Sequence, residues 1–360
     1  MGLIVERVHN GVEQKKDFSQ APFIAIWEVT RACQLHCLHC RAQAQRYRDP
    51  RELSTAEGLD LIDQIADMGT SLIVFTGGDP LEREDLFSFI THAKSRGLDV
   101  GISPSATPKV TKDAILQAKE AGLSRWAFSL DGSTAQIHDH FRGTKGSFDL
   151  TMRALHILKE EGIPIQLNST LSRFNLHDLP AIADIAESFG TTLWSVFSLI
   201  PTGRARVRDM ISAEEHEQTM EWLYEQSLVR SFIIKTTESP EYRRVVLQHN
   251  VFEFRGAVND GDGFVFISHI GDVAPSGFLP ITVGNIRDET LEHIYRDTPV
   301  FQALRDRARL VGKCNVCSFR DVCGGSRARA YALTGNYLES DPLCTYIPEH
   351  SMVMKGELQP

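Results

Sequence analysis

The chain has no run of the ~18 to 20 consecutive apolar residues needed to cross a bilayer, and its opening residues, MGLIVERVHNGVEQKK, lack the apolar core of a secretory signal. A soluble, cytoplasmic protein without a membrane span is expected. A basic field is missing too: 38 Lys and Arg stand against 47 Asp and Glu, a formal net charge of -9 that leaves no counterion-release term to hold a nucleic acid. Cysteine is scarce and uneven. The seven cysteines form two tight groups, Cys33/Cys37/Cys40 and Cys314/Cys317/Cys323/Cys344, with none in the more than 270 residues between them. An odd number so clustered excludes a disulfide framework and, in a reducing compartment, reads as metal sites or reactive thiols. There is no internal repeat and no low-complexity tract. At 360 residues and 42% hydrophobic, the chain is long enough for one large domain and a smaller one.

From about Pro22 to Leu199, short apolar runs alternate with helical patterns, which is the signature of a parallel sheet. Strands are expected at 23–29, 72–76, 98–103, 125–130, 164–170 and 193–199, with helices between them such as TAEGLDLIDQIADMG and DLFSFITHAKSRG. Six such units in under 200 residues give an α/β fold, a (β/α)6 partial TIM barrel whose active-site residues lie at the C-terminal ends of its strands. After Arg204 come a charged helix over Ala213 to Ser227 and a strand-like FIIKTT at 232–237. The Gly/Asp-rich NDGDG at 259–263 reads as a domain boundary, followed by a hairpin in GFVFISHIGDVAP, a helix over about Glu289 to Ala308 and the Cys-rich tail. The expected division is an extension over 1–21, the barrel over 22–205, a bridging segment over 206–262 and a small second domain over 263–360.

TRACQLHCLHC follows the first strand directly and sets three thiols at C-x3-C-x2-C in a loop. Three thiolates hold three irons of a cubane and leave the fourth open to another ligand. Zinc is the alternative, with His36 or His39 as the fourth ligand. The tail gives C-x2-C-x5-C-x20-C, a complete set of four soft ligands for a closed cluster or for a structural zinc.

C-x3-C-x2-C after the first strand resembles the signature of the radical S-adenosylmethionine (SAM) superfamily. FTGGDP at the second strand resembles that superfamily's Gly-Gly-Glu-Pro motif with Asp79 in place of Glu, which implies that Gly77, Gly78 and Asp79 receive the SAM amino group. SLDG (129–132) and HDHFRG (138–143) resemble the segment beside the SAM ribose and carboxylate. That likeness assigns Ser129 and Asp131 to hydroxyls and Arg142 to the carboxylate, with Ser105, Asn168 and the Leu199/Ile200 pair at comparable strand ends. The tail resembles the SPASM/twitch auxiliary-cluster domain. Together these likenesses imply two 4Fe-4S clusters, one on Cys33, Cys37 and Cys40 with SAM on its open iron, and an auxiliary one on Cys314, Cys317, Cys323 and Cys344. They also imply reductive cleavage of SAM to a 5′-deoxyadenosyl radical, fed by an external one-electron donor of flavodoxin or ferredoxin type. All seven cysteines are then used, which excludes a third all-cysteine cluster.

Across almost the whole chain, in segments such as WEVTRACQLHCLHCRAQA, LIPTGRA and CGGSRARAYALTGNYLESDPLC, the sequence resembles the AdoMet-dependent heme synthases and the radical SAM proteins of heme d1 biosynthesis. That resemblance implies an iron-porphyrin substrate whose propionates lose hydrogen and then carbon dioxide. Cations must hold the propionates, and Arg41, Arg204 and Lys235 are the candidates. Four positions depart from the pattern: Glu238 and Glu241 stand where related sequences carry Cys and His, and Ser276 and Ser326 where they carry Cys. Two other functions compete. Maturation of a ribosomal peptide uses the same chemistry but expects an N-terminal recognition domain, for which the ~20 residues before the first strand are too few. A non-catalytic iron–sulfur electron carrier needs no SAM pocket.

Overall fold

The computed structural model describes residues 17–249 and 258–348. Residues 1–16 of the expected extension, 250–257 of the bridging segment and 349–360 of the second domain lie outside the described residues. The expected α/β partial barrel is present. Its strands are β1 (Ile24–Thr30), β2 (Leu72–Gly77), β3 (Asp99–Ile102), β4 (Arg125–Ser129), β5 (Ile165–Leu171) and β6 (Leu193–Ser198). Helices α1 (Thr55–Asp67), α2 (Leu86–Ser95), α3 (Lys112–Glu120), α4 (Ala135–Arg142), α5 (Ser147–Glu160) and α6 (Leu179–Ser188) connect them.

Residues of alternate parity explain the layers. In β5 the burial pattern alternates strictly, with Ile165, Leu167, Ser169 and Leu171 buried and Gln166, Asn168 and Thr170 partly open. The buried set faces the helices; Trp27 of β1, for example, packs its ring 5.8 Å from Phe75 of β2 and 4.9 Å from Phe89 of α2. The other set faces the barrel lumen; in β5 it is partly exposed, whereas Glu28 of β1 and Ser195 of β6 are buried there. Glu28, Ser129, Asn168, Ser195 and Lys235 have the parity that places them there.

The sheet extends beyond the six expected strands. After α7 (Ala213–Val229), β7 (Ile233–Thr237) pairs in parallel with β6, and α8 (Glu241–Gln248) follows it. On the other side, β8 (Phe264–Ile267) pairs in parallel with β1 and then antiparallel with β9 (Asp272–Ala274), which pairs with β10 (Gly284–Asn285). One ten-stranded sheet in the order β10-β9-β8-β1-β2-β3-β4-β5-β6-β7 therefore runs across the expected 262/263 boundary. The single helix expected over Glu289 to Ala308 is two, α9 (Leu291–Asp297) and α10 (Pro299–Arg305). Thr298 sits between them at φ -70 and ψ 139 because a residue before proline is driven out of the helical region. The tail adds α11 (Gly312–Asn315) and α12 (Arg327–Thr334). No helix among the described residues is long and apolar enough to cross a membrane.

Candidate functional site

The cysteine loop leaves β1 at Thr30 and is held by the main chain of three neighbouring segments. Gly78 N–H donates to Thr30 O (2.8 Å), Asp79 N–H to Ala32 O (2.7 Å), Leu38 N–H to Phe141 O (3.0 Å) and Arg204 N–H to Cys40 O (3.1 Å). Two left-handed glycines let the neighbouring turns come this close. A Cβ on Gly143 (φ +59) would lie 2.2 Å from His36 O, and one on Gly203 (φ +62) 2.4 Å from Cys40 O.

All three sulfurs receive donors. Leu35 N–H points at Cys33 Sγ (3.3 Å), Ala44 N–H at Cys40 Sγ (3.3 Å) and Arg142 Nη1 at Cys37 Sγ (3.7 Å), while Ser105 Oγ lies 3.3 Å from Cys33 Sγ. Donors aimed at sulfur favour thiolates, the form that binds iron. Burial pushes the Cys33 thiol up to about 11 and also raises that of Cys37. None of the seven cysteines is in a disulfide. The His36 side chain is exposed, and the His39 ring stacks on Phe141 with centroids 4.0 Å apart. The loop fits a cubane, in which each cysteine binds a different iron.

Several side chains expected at SAM are instead spent inside the protein. Asp79 is wholly buried, with one carboxylate oxygen accepting from Thr107 Oγ1 (2.8 Å) and the other from Leu81 N–H (3.2 Å). Burial pushes this carboxyl up to about 7. Asp131 is also wholly buried; Thr170 N–H donates to its Oδ1 (2.6 Å), and Arg142 Nη2 lies 2.7 Å from its Oδ2. The Arg142 fork expected to clasp a carboxylate is thus divided between Asp131 and Cys37, leaving its Nε buried without a partner. Asn168 stands in mid-strand and accepts from Gln166 Nε2 (2.8 Å), not at a strand end. Ser129 closes β4 with a half-buried side chain, and Ser105 donates to Gly78 O (3.0 Å). Leu199 and Ile200, just past β6, are buried in two separate apolar clusters.

The expected substrate cations differ sharply from one another. Arg41 is paired with the wholly buried Glu28 (2.9 Å) and lies over the Phe266 ring at 4.6 Å, so its charge is already met. Arg204 is held by its own backbone at the cysteine loop, yet its Nε and Nη2 are buried without a hydrogen-bond partner. Lys235 faces the lumen, where burial, and then the Arg243 and Arg125 charges, push its amine down to about 8.

In the tail, Cys314, Cys317, Cys323 and Cys344 line one cavity together with Glu241, Arg244 and Phe319. Gly325 N–H points at Cys323 Sγ (3.5 Å) and Arg327 Nη2 at Cys314 Sγ (4.0 Å). Burial raises the Cys323 thiol well above its ordinary value and that of Cys344 to about 12, and four thiols lining one cavity are the donor set of a closed four-thiolate cluster. Buried Arg329 fastens the tail through a bidentate pair with Asp341 (2.7 Å each) and a bond to Glu238 O (2.8 Å). Three of the four departures, Glu238, Glu241 and Ser326, touch this framework, and Ser276 bonds within its own turn. Glu238 accepts from Ser326 Oγ (2.6 Å), Glu241 lies 3.4 Å from Arg329, and Ser276 Oγ accepts from Leu279 N–H (3.1 Å). Leu343, beside Cys344, packs with Phe141 and Leu199, which brings the tail to the barrel mouth.

Thr107 and His138 escape the sequence reading. His138 Nδ1 accepts from Asp131 N–H (3.2 Å) and so fixes the turn that carries Arg142. Its signal was its place in HDHFRG, one turn of helix before that arginine.

The geometry agrees with what the chain is similar to. Residues 27–186 match the radical SAM superfamily, and residues 260–318 match SPASM, an iron–sulfur cluster-binding domain. The AdoMet-dependent heme synthase of Oleidesulfovibrio alaskensis is 39% identical over 349 residues, 92% of this chain and 89% of that one. Mycofactocin maturase MftC of Mycolicibacterium smegmatis is 30% identical over 349 residues, 94% of this chain and 87% of that one. Streptococcus suis SuiB, in its crystal structure bound to S-adenosylmethionine, shares the fold with a TM-score of 0.72 at 15% identity, over 91% of this chain and 78% of that one. The chain belongs to the radical SAM superfamily and is a radical SAM enzyme with a SPASM iron–sulfur cluster-binding domain.

Proposed function

We propose that this enzyme acts on the propionate side chains of an iron-porphyrin, as an oxidative decarboxylase of the heme-synthase kind, with SAM at a cluster held by Cys33, Cys37 and Cys40. Cluster and SAM, once bound, supply a 5′-deoxyadenosyl radical that abstracts hydrogen. The chain's own residues do the positioning. Gly77, Gly78 and buried Asp79 hold the loop by its backbone, while Ser105, Ser129, Asn168 and the free Nε of Arg142 are the polar groups left to meet SAM beside the apolar Leu199 and Ile200. Cys314, Cys317, Cys323 and Cys344 hold the auxiliary cluster, and an external one-electron donor feeds the first one. In this reading the barrel over 22–205 carries the SAM half, 206–262 joins it to the tail, and 263 onward carries the auxiliary half.

The observation that carries the substrate reading is Arg204. A guanidinium with two buried, unpartnered nitrogens, tied by its backbone to Cys40, awaits an anion beside the cluster loop. A propionate satisfies it, and Lys235 supplies a second positive charge in the lumen. Identity to a heme synthase at 39%, against 30% to a peptide maturase, favours the tetrapyrrole over a peptide. The test is to titrate the reconstituted enzyme with iron-coproporphyrin, follow the Soret band, and search by mass for products that have lost carboxyl groups. Wild type should bind and decarboxylate, and Arg204→Ala should bind ~10- to 100-fold more weakly, the loss of one charge-assisted hydrogen-bonded pair. Binding without stimulated 5′-deoxyadenosine release or mass loss removes the protein from this chemistry.

A further inference from the structure

The barrel lumen has two unlike walls, and strand register shows how each is built. Side chains alternate between the two faces of a strand, so register partners stand side by side on one face. Ser129 pairs with Asn168, Asn168 with Ser195, and Ser195 with Lys235, which draws one polar row across β4, β5, β6 and β7. A step nearer the strand starts, Gln166 accepts from Arg125 Nη1 (3.5 Å) and donates to Asn168 Oδ1 (2.8 Å). The facing wall is different. Below Glu28 and Thr76, the lumen residues of β1, β2 and β8 are Ile24, Ile26, Leu72, Val74, Phe264 and Phe266, all apolar and in register with one another. Glu28 itself is already held by Arg41 (2.9 Å) and Arg31 (3.0 Å).

Lys235 is the unsatisfied member of the polar row. Among the described residues its amine has no hydrogen bond or ion pair, and the charges that act on it, those of Arg243 and Arg125, are both repulsive. Arg243 has acceptors of its own in Val322 O (2.8 Å), Val258 O (2.7 Å) and Asn259 Oδ1 (2.9 Å). An ammonium taken from water without a counter-charge is a place for an anion. The row also gives its distance from the chemistry. Ser129 and Asn168 are among the groups left to meet SAM, and Lys235 stands two strands from Asn168, roughly 10 Å away along the wall. An anionic arm that enters the lumen beside SAM ends on Lys235, because the opposite wall is apolar. Its carbons, within two bonds of the carboxylate, then lie on the SAM side, where hydrogen abstraction needs contact at about 3 to 3.5 Å. A carboxylate on Arg204, beyond the strand ends at the cysteine loop, stays outside the lumen. We propose that Lys235 binds the carboxylate of the side chain that gives up hydrogen, while Arg204 binds a second carboxylate that does not react. The substrate is then at least a dicarboxylate. The identity of that substrate rests on the iron-porphyrin reading; the anion site rests on the lumen alone.

The test labels lysine amines of the reconstituted holoenzyme with a small acylating reagent and reads Lys235 by mass spectrometry. At about ten times the Kd of the Soret titration, iron-coproporphyrin should slow labelling of Lys235 about tenfold, the factor 1 + [L]/Kd. Sodium propionate should slow it as well, and the uncharged propionamide should not. Protection by SAM alone gives the amine to the cofactor and overturns the proposal. Porphyrin that binds without protecting Lys235 overturns it too, and leaves the heme-synthase reading in place. If the porphyrin does not bind at all, that reading fails and propionate decides: protection keeps the anion site, and equal labelling removes it. Turnover separates the two cations. At saturating substrate Arg204→Ala should cost affinity but keep the wild-type ratio of carboxyl groups lost to 5′-deoxyadenosine released. Lys235→Met leaves the reacting arm unanchored and should lose roughly 100-fold of that ratio, and Lys235→Arg should recover part of it. Equal ratios in Arg204→Ala and Lys235→Met overturn the division of roles.

Discussion

Because the cysteine loop is positioned by backbone contacts, one methyl group should dismantle the first cluster while sparing the second. Gly143→Ala places a Cβ 2.2 Å from His36 O, and ordinary contact begins at 3.4 Å, so about 1.2 Å of separation must be gained. Iron–ligand distances tolerate only about 0.2 Å, and His36 adjoins Cys37. Overpacking of this sort costs about 1 to 3 kcal/mol and the left-handed backbone about 1 kcal/mol more. Gly146 isolates the second cost, because it has φ +85 but nothing within 4 Å of an added Cβ. After anaerobic reconstitution, wild type and Gly146→Ala should hold about eight iron per chain, and Gly143→Ala about four, the auxiliary set. SAM cleavage should vanish with the missing four. Full iron in Gly143→Ala, or equal loss in Gly146→Ala, refutes the reasoning.

Two further outcomes follow from buried bases. His216 is wholly buried against Ser239 (3.1 Å), and burial pushes its imidazole down to about 3 from 6.5. Folded His216 therefore binds fewer protons than unfolded, its contribution is complete above pH 6.5, and it is lost as pH falls toward 3. Relative to His216→Gln, wild type should lose about 2 kcal/mol between pH 6.5 and about pH 5 in urea unfolding, at 1.36 kcal/mol per unit; a constant difference contradicts this. Lys235, at about 8, should make iron-coproporphyrin binding weaken as pH rises through about 8, whereas Lys235→Met should bind weakly at every pH. Soret titrations at several pH values decide it, and an identical pH profile in the two proteins refutes it.

The barrel strands were legible because each buries one face against helices, and that burial writes alternation into the sequence. Strand neighbours were not. That β8 lies beside β1 depends on contacts some 240 residues apart, and nothing in GFVFISHIGDVAP states which edge it will pair with. The break at Thr298 was missed by the reading of one helix over Glu289 to Ala308, although Pro299, whose ring removes a helical donor, carries its signal. At the site, residue types were readable but their partners were not. Asp79 and Asp131 have the chemistry to meet SAM, yet the fold gives their oxygens to Thr107, Leu81, Thr170 and Arg142. Arg41, Arg204 and Lys235 were equal candidates until Glu28 proved to neutralise the first.

Whether the thiols of Cys33, Cys37 and Cys40 hold the iron at which SAM is cut is measured directly by 5′-deoxyadenosine release from the reduced, reconstituted protein. Wild type should release it slowly without substrate, and Cys37→Ser, which exchanges a soft sulfur ligand for an oxygen that binds iron poorly, should release none. Equal release by Cys37→Ser and wild type contradicts the account.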